Sequence, residues 1–296
     1  MAFFSSIKKK LSHKSNRNLH ARSKSGDFFN FLLLAFLGLF MLIPLVYTVC
    51  NAFKPLDELF VFPPHILVKN PTTDNFSDLS LLMSESWVPF SRYIFNTVFI
   101  TVVGITGHVI ISSMAAYVLE KRDMPGGPAF FKLVVTTLMF TSAVTQIPSF
   151  IIMTKLGWVN TYWCIIVPAF GAPIGLYLMK QFMSGIPDSL LEAAKIDGAS
   201  EMRIFWTIVM PNVKPAWLTL IIFSIQSLWG ATGGVYIFSE ELKTLSYAMS
   251  QIISGGVARA GAGAAVGVIM MIVPISVFII SQSNILQTMA SSGMKD

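Results

Sequence analysis

The residues with the most informative types and spacing form a polar, helix-favouring segment, residues 187–215, set between long apolar runs. Small apolar and charged side chains share this segment with two late prolines, in the order Glu192, Ala193, Ala194, Asp197, Gly198, Ala199, Arg203, Phe205, Ile208, Pro211 and Pro215. A helix that docks into a groove of a partner protein has this kind of composition, with apolar anchors and charges at the rim. The chemistry predicted for the polar segment is therefore contact with another protein.

Two short helices are expected to position these residues. The first should begin near Ser189, because residues 187–189 supply turn and N-cap chemistry and the alanines that follow favour helix. Gly198 tolerates the positive φ at which a helix ends, and a second helix should run from Ser200 until Pro211 and Pro215 stop it. The result would be a bent knob with an apolar ridge made of Ala193, Ala194, Ala199, Ile204 and Phe205. The alternative is an amphipathic loop lying on a membrane surface.

Groups for catalysis are missing from the sequence. No Gly-x4-Gly-Lys-Ser/Thr loop is present to cradle nucleotide phosphates, and Gly126-Gly127-Pro128 lacks the lysine. Paired carboxylates and nucleophile–base sets are also absent, and Cys50 and Cys164 lack metal-ligand spacing. We therefore expect no enzyme activity, no metal site and no cofactor bound by this chain.

The composition is that of a membrane protein. Hydrophobic residues make up 54% of the 296 residues, charged residues 12%, and the mean hydropathy is +0.66. Apolar runs of about 20 residues, enough to cross a bilayer, predict six spans: residues 28–53, 93–119, 133–154, 156–179, 215–239 and within 260–294. Residues 156–160 predict a tight turn between the third and fourth spans. The fold class expected is an all-α membrane protein with six transmembrane helices.

Basic residues predict the orientation of the chain. Lys8-Lys9-Lys10, Lys14, Arg17 and Arg22 precede the first span, with no acidic residue before Asp27, which favours a cytoplasmic N-terminus. Six spans would return the C-terminus to the same side. We expect a basic tail without a fold of its own at 1–27, a membrane domain at 28–290 and a cytosolic tail at 291–296. No aromatic-interleaved basic groove accompanies the positive charge, so attraction to anionic lipid explains it better than nucleic acid does.

Polar residues inside the apolar runs are the second set of candidates. His108 lies within a predicted span, where it either serves transport or bonds across a helix contact. Asn96, Gln146 and Gln226 either line a solute pathway or pin two helices together. Residues 233–258, the glycine-flanked loop, contain a short amphipathic stretch at 245–253 that should lie against the outer face without crossing it.

The polar segment matches the EAA loop of ABC-importer membrane subunits in order and spacing. Other short sequence segments extend the match over about residues 28 to 296: Asn96-Thr97, Ala115-Ala116-Tyr117, Pro148, residues 156–161 and residues 182–187. The chain therefore resembles the carbohydrate ABC-importer permeases, the family of the smaller membrane subunit of the maltose transporter.

This resemblance implies a bacterial cytoplasmic-membrane complex and the type I importer fold. A second homologous permease, two ABC ATPase subunits that hold ATP and Mg, and an external solute-binding protein would be the partners. Residues 192–208 would dock into an ATPase groove, and Gly233, Gly234, Glu240 and Glu241 would contact the binding protein. The chain would form half of the path for a sugar or oligosaccharide, although in the maltose system the sugar contacts lie mainly on the other permease.

Two alternatives remain at this point. The importer could carry a solute other than a sugar, because other importers share the EAA loop. The chain could instead be a self-contained secondary transporter, but such carriers need coupling carboxylates at mid-membrane, and no Asp or Glu lies inside a predicted span.

Overall fold

A computed structural model describes residues 24–84 and 87–292, and this part of the chain is helical with no β-strand. Two short 3-10 helices, Glu240–Leu242 and Gly256–Arg259, and thirteen longer or α-helical elements make up this part of the chain. The thirteen are α1 (Lys24–Ala52), α2 (Leu56–Leu59), α3 (Asp74–Ser84), α4 (Phe90–Lys121), α5 (Gly127–Thr137), α6 (Ser142–Lys155), α7 (Trp163–Phe170), α8 (Pro173–Met183), α9 (Asp188–Ile196), α10 (Glu201–Asn212), α11 (Lys214–Trp229), α12 (Leu245–Ile253) and α13 (Ala260–Ser292). The predicted all-α class is confirmed. The predicted tails lie outside the described residues at 1–23 and 293–296, and α1 begins at Lys24, inside the tail predicted for 1–27.

Helix α4 lies at the centre of the bundle and packs on α7, α8 and α11. Small residues let its neighbours approach closely: a Cβ added to Gly107 would lie 2.1 Å from the Phe170 ring, and one added to Gly104 would lie 2.6 Å from Leu228. Helix α13 packs on α1, α3 and α11 and completes the bundle. Small residues at helix contacts serve this purpose in membrane proteins.

Four helical stretches are long and apolar enough to cross a membrane: Gly26–Ala52, Phe90–Lys121, Trp163–Met183 and Gly256–Gln282. Helices α10 and α11 add a fifth if they are counted together, although they bend by 79° where they meet. The six-span prediction therefore stays a prediction, and three of its spans need correction. The fourth, predicted at 156–179, corresponds to Trp163–Met183.

The predicted third span, residues 133–154, is not one helix. Helix α5 ends at Thr137 and α6 begins at Ser142. The β-branched run 134–137 weakens the helix, and the hydroxyls of Thr136 and Thr137 bond back to the carbonyls of Lys132 and Val134. The predicted fifth span, residues 215–239, is also too long, because α11 ends at Trp229 ahead of glycines in the positive-φ region.

Two local predictions are confirmed. The turn at 156–160 has Gly157 at φ +68° and Asn160 at φ +60°. The amphipathic stretch predicted at 245–253 is helix α12, whose buried face packs on α4 and α13.

The connection between α1 and α4 is itself folded. Asn75 on α3 donates to the carbonyls of Ala52 and Lys54 at 2.9 and 2.7 Å. The carboxylate of Glu58 accepts the backbone N–H groups of Lys69 and Asn70, and these hydrogen bonds, chiefly the one from Lys69, hold its pKa below the usual range. Asn75 thus holds the connection to the end of α1, and Glu58 joins two parts of the connection to each other.

Candidate functional site

The polar segment, residues 187–215, forms a bent knob. Helix α9 begins at Asp188, one position before the predicted start, and Gly198 adopts φ +78° after it ends. A Cβ at Gly198 would have no neighbour within 4 Å, so backbone conformation alone favours glycine there. Ser200 then caps α10, its Oγ accepting the Arg203 N–H at 3.4 Å. The predicted bend between two helices is confirmed.

The end of the knob differs from the prediction. Pro211 does not stop α10, which continues to Asn212 and contains a π turn at Phe205–Val209. Proline has no N–H to donate to the preceding turn, and the helix widens immediately before it, with the Met210 N–H bonded to the Phe205 carbonyl. The chain then bends by 79° at Val213 into α11, which carries Pro215 in its first turn.

Part of the expected apolar ridge faces inward. Ile204 and Phe205 are 0% and 3% exposed, and the Phe205 ring lies 5.6 Å from that of Tyr117. They belong to the core, so their assignment to a docking ridge is wrong. Ala194, Ala199 and Ile208 are half-buried against the same core. The candidates left on the surface are Glu192, Ala193, Asp197, Gly198 and Arg203.

Sequence reasoning missed the apolar side chains that the knob does expose. Ile196 is 87% exposed, Met202 54%, Trp206 45% and Leu190 42%. Leu190, Ala193 and Ile196 are spaced three apart in α9 and so share one face of the helix. This spacing in the sequence could have predicted an apolar surface on α9.

Side chains at the end of α4 hold the knob. Lys121 Nζ donates to the Ile186 carbonyl at 2.6 Å and to Asp188 Oδ1 at 2.8 Å. Glu201 Oε2 accepts the Tyr117 hydroxyl at 2.9 Å and also pairs with Arg122. Both helices of the knob are therefore fixed to the same turn of α4.

Glu201 is the centre of this contact, and sequence reasoning did not select it. Lys195 on α9 lies 3.3 Å from Glu201 Oε1, so the carboxylate joins α9, α10 and α4. Burial raises the pKa of Glu201, but hydrogen bonds from Tyr117, Arg122 and Lys195 outweigh it, and the net pKa lies below the usual range. The carboxylate is therefore ionised at neutral pH.

The glycine-flanked loop, residues 233–258, lies at the opposite end of α4 and is anchored there. Tyr93 donates its hydroxyl to Glu240 Oε1 at 2.7 Å, and Arg92 Nε donates to the Glu241 carbonyl at 3.2 Å. The Leu245 N–H donates to Thr97 Oγ1 at 2.7 Å. The bonds between this loop and the rest of the bundle fall within residues 236–246.

The glycines and acidic residues of this loop differ in exposure. Gly233 is buried at φ +77° and Gly234 is exposed at φ +44°. Glu240 is half-buried, whereas Glu241 is exposed and borders an open depression of about 670 Å³ with Trp87, Arg92 and Phe95. Apolar side chains also reach the surface of the loop, at Val235, Phe238, Ile253 and Val257. This surface is available for contact with another molecule.

Asn96 is fully buried and has partners for all of its amide groups. Its Nδ2 donates to the carbonyls of Glu241 and Lys243 at 2.8 and 2.7 Å, and its Oδ1 accepts the Tyr162 hydroxyl at 2.7 Å. It therefore pins α4 to the loop and to the start of α7, which favours the packing alternative over the pathway.

His108 is 3% exposed and ties α4 to α11 and to the residue that precedes α8. Its Nε2 lies 3.1 Å from the Ala172 carbonyl, which only accepts, so Nε2 carries the proton and Nδ1 accepts the Ser224 hydroxyl at 2.9 Å. The adjoining cavity of about 120 Å³ is smaller than typical ligand sites of about 300–1,000 Å³. The cross-helix contact is the better account of His108.

Gln146 on α6 and Gln226 on α11 are exposed, unlike Asn96 and His108. The four pathway candidates therefore form two groups. Asn96 and His108 are buried and hold helices together, whereas Gln146 and Gln226 are exposed. Across residues 24–84 and 87–292, no three His, Cys, Asp or Glu side chains lie close enough together to hold a metal ion.

Comparisons with known proteins cover nearly the whole chain. Residues 21–291 match the family model described as "Binding-protein-dependent transport system inner membrane component". The chain is 31% identical to the "Polygalacturonan/rhamnogalacturonan transport system permease protein YtcP" of Bacillus subtilis (strain 168), covering 76% of this chain and 78% of that one. It is 33% identical to the "Arabinooligosaccharides transport system permease protein AraQ" of Halalkalibacterium halodurans, covering 67% and 70%.

A third relative is similar over more of its length. The "Galactooligosaccharides transport system permease protein GanQ" of Bacillus subtilis (strain 168) is 27% identical over 90% of this chain and 95% of that one. Among solved structures, a chain of a bacterial ABC transporter involved in the import of the acidic polysaccharide alginate superposes with a TM-score of 0.72. Its identity is 23%, with 88% of this chain and 98% of that chain covered, so this likeness supports the fold.

Proposed function

Because this chain belongs to the family of binding-protein-dependent transport system inner membrane components, we propose that it is a permease subunit of an ATP-driven importer for an oligosaccharide. It is a multi-pass membrane protein with the fold of an importer permease. The observation that carries the proposal is the knob at 187–215, an exposed pair of helices fixed to the transmembrane bundle through Glu201. Force applied to such a knob passes into the bundle.

The proposed substrate class follows from the relatives. Their names specify polygalacturonan or rhamnogalacturonan, arabinooligosaccharides and galactooligosaccharides, which differ in their sugars but are all chains of linked sugars. An importer for an oligosaccharide is thus favoured over one for a non-sugar solute.

The proposed ATPase contact uses the exposed face of the knob. Ile196 and Met202 are the apolar anchors, and Glu192, Asp197 and Arg203 form a charged rim. A few apolar anchors inside a polar rim are the usual source of affinity in a protein interface. ATP and Mg would be held by the ATPase subunits, and this chain would contribute no catalytic group.

The proposed binding-protein contact is the surface formed by Gly234, Phe238 and Glu241 on the glycine-flanked loop. This assignment requires the loop and the knob to lie on opposite sides of the membrane, and they do occupy opposite ends of α4. With six spans, both termini would be on the knob's side, in the cytoplasm.

A second permease is proposed to complete the path. Helices α1, α5 and α6 expose apolar side chains along most of their length, as expected where a helix meets lipid or another membrane subunit. Gln146 and Gln226 are proposed to line the path between the two permeases, and Asn96 and His108 to hold helices together.

Co-purification tests this assignment. The chain would be co-expressed with its partner permease and a tagged ATPase, as the native sequence, as Ile196→Glu and as Val257→Glu. Val257 is 70% exposed and apolar like Ile196, but it lies at the opposite end of the bundle, so it is a matched control. We expect Ile196→Glu to lose the ATPase and Val257→Glu to retain it. Equal retention by both variants, or no ATPase with the native chain, would contradict the proposal.

A further inference from the structure

The open depression of about 670 Å³ beside the glycine-flanked loop has the size of a ligand site, since such sites usually measure about 300–1,000 Å³. Among the described residues, its lining contains two aromatic rings, Trp87 and Phe95, and two charged groups, Arg92 and Glu241. Neither ring belongs to the proposed ATPase contact or to the proposed solute path. The depression therefore requires an explanation of its own.

Trp87 is packed very little by the rest of the chain, because it is 86% exposed. Its position is nevertheless fixed by its neighbours: Val88 is 4% exposed, and Pro89 immediately precedes the first residue of α4. An indole has a large apolar surface and one N–H donor. The exposed indole thus offers apolar area that a second molecule can cover.

Phe95 and Arg92 lie one turn apart on α4, and both are held in place. The Phe95 ring stacks on Phe99 with 5.9 Å between centroids and 14° between planes, and the Phe99 ring lies 5.5 Å from that of Tyr162. Arg92 Nε donates to the Glu241 carbonyl at 3.2 Å, and Arg92 Cζ lies 5.8 Å from the Phe95 centroid. Side chains that are fixed before a ligand arrives lose less conformational entropy on binding.

The combination of rings and charged groups matches the chemistry of a pyranose. The C–H groups on one face of a sugar ring pack on an aromatic ring, and the hydroxyls at its edge both donate and accept hydrogen bonds. The Arg92 guanidinium can donate to such hydroxyls, and the Glu241 carboxylate can accept from them. A phospholipid fits less well, because the Glu241 carboxylate repels its phosphate.

We propose that this depression is an outer subsite for pyranose units of the transported sugar chain, with Trp87 and Phe95 as stacking surfaces and Arg92 as a donor to sugar hydroxyls. This inference rests on the proposed function. The depression adjoins the proposed binding-protein contact through Glu241. A chain long enough to extend beyond the binding protein would therefore reach the subsite, whereas a disaccharide enclosed by that protein would not.

Dependence of uptake on chain length tests the subsite. The complete transporter would be assayed in vesicles with ATP inside and the binding protein outside. The probes are labelled chains of galactose, galacturonate, glucose and xylose units, each supplied as a disaccharide and as a hexasaccharide at concentrations below saturation. The pair that the native chain transports fastest is then used for the variants.

We expect Trp87→Ala to lower uptake of the hexasaccharide several-fold and to leave uptake of the disaccharide unchanged. Trp87→Tyr keeps an aromatic ring and should retain most of the hexasaccharide uptake. Phe60→Ala is the matched control, because it removes a ring that is 55% exposed on the connection between α2 and α3, outside the lining of the depression. It should change the uptake of neither probe.

Equal losses for the two chain lengths in Trp87→Ala would overturn the inference, because they would show that Trp87 serves the fold or the docking of the binding protein. Unchanged uptake of the hexasaccharide would also overturn it, as would a native chain that transports none of these pyranose chains.

The subsite and the proposed function fail in different ways. If the ATPase does not co-purify with the native chain, the proposed function is wrong. If the ATPase co-purifies and Trp87→Ala shows no dependence on chain length, the importer assignment stands and only the subsite is wrong.

Discussion

Tyr117 on α4 donates its hydroxyl to Glu201 on α10 at 2.9 Å, and the residues joined belong to different halves of the chain. Glu201 also meets Arg122 and Lys195, so one carboxylate collects a neutral donor and two cations. This contact makes the knob an extension of the central helix. It also provides the most accessible point at which to separate the knob from the bundle by mutation.

Glu201→Gln should loosen the knob while leaving the shape of the side chain unchanged. The amide keeps one acceptor but loses the charge that strengthens the bonds from Arg122 and Lys195. Since Glu201 is half exposed, we expect a modest loss of about 1 kcal/mol in the stability of the knob. Thermal unfolding of the purified complex measures it. Asp123→Asn, at an exposed site outside the proposed ATPase contact, is the control and should leave the melting temperature nearly unchanged.

The contribution of Glu201 should depend on pH. Its pKa in the folded chain lies below the ordinary value of 4.5, so its stabilising effect is complete above that value and is lost as the pH falls through the folded pKa. The difference in melting temperature between the native chain and Glu201→Gln should therefore be constant from pH 8 to about 6 and shrink toward pH 4. A difference that grows on acidification would contradict the assigned sign.

Gly198→Val should impair coupling without preventing insertion into the membrane. The φ of +78° disfavours a β-branched residue by about 1–2 kcal/mol, although a side chain would meet no neighbour there. We expect less ATPase to co-purify and uptake to fall. Gly198→Asn is the control, since asparagine tolerates this backbone region, and it should retain most of both. If valine and asparagine behave alike, the bend is not what the docking requires.

His108 and Gln226 should respond in opposite ways to substitution. His108→Phe removes two buried hydrogen bonds and leaves Ser224 without its partner, which should lower stability by about 1–3 kcal/mol. Gln226→Ala, at an exposed position, should leave the melting temperature unchanged and lower uptake. The two variants are compared by unfolding and by uptake per folded complex. A stable His108→Phe variant with selectively lost uptake would place His108 in the pathway.

The local features of the knob and loop could be predicted from sequence because they depend on neighbouring residues. Gly198 required a positive φ for its turn, and the amphipathic pattern at 245–253 coincides with α12. Helix α5 was mispredicted as part of a longer span because hydropathy does not register the helix-weakening hydrogen bonds of Thr136 and Thr137.

The orientation of amphipathic faces could not be predicted. An apolar face signals burial, but the pattern of Ile204 and Phe205 does not say whether they pack on their own subunit or on a partner. The hydrogen-bond partners of Asn96 and Glu201 could likewise not be predicted from the sequence, because they lie far away in the chain and depend on how the helices assemble. Long-range contacts of this kind decide which polar residues hold helices together and which stay exposed on the surface.

The most direct measurement of the central claim is uptake of labelled oligosaccharides by vesicles that contain this chain, its partner permease and the two ATPase subunits, with binding protein added outside. The account predicts uptake that requires both ATP inside and the binding protein outside, and that is abolished by Ile196→Glu. Uptake driven by an ion gradient through this chain alone, with no need for ATP or the binding protein, would contradict it.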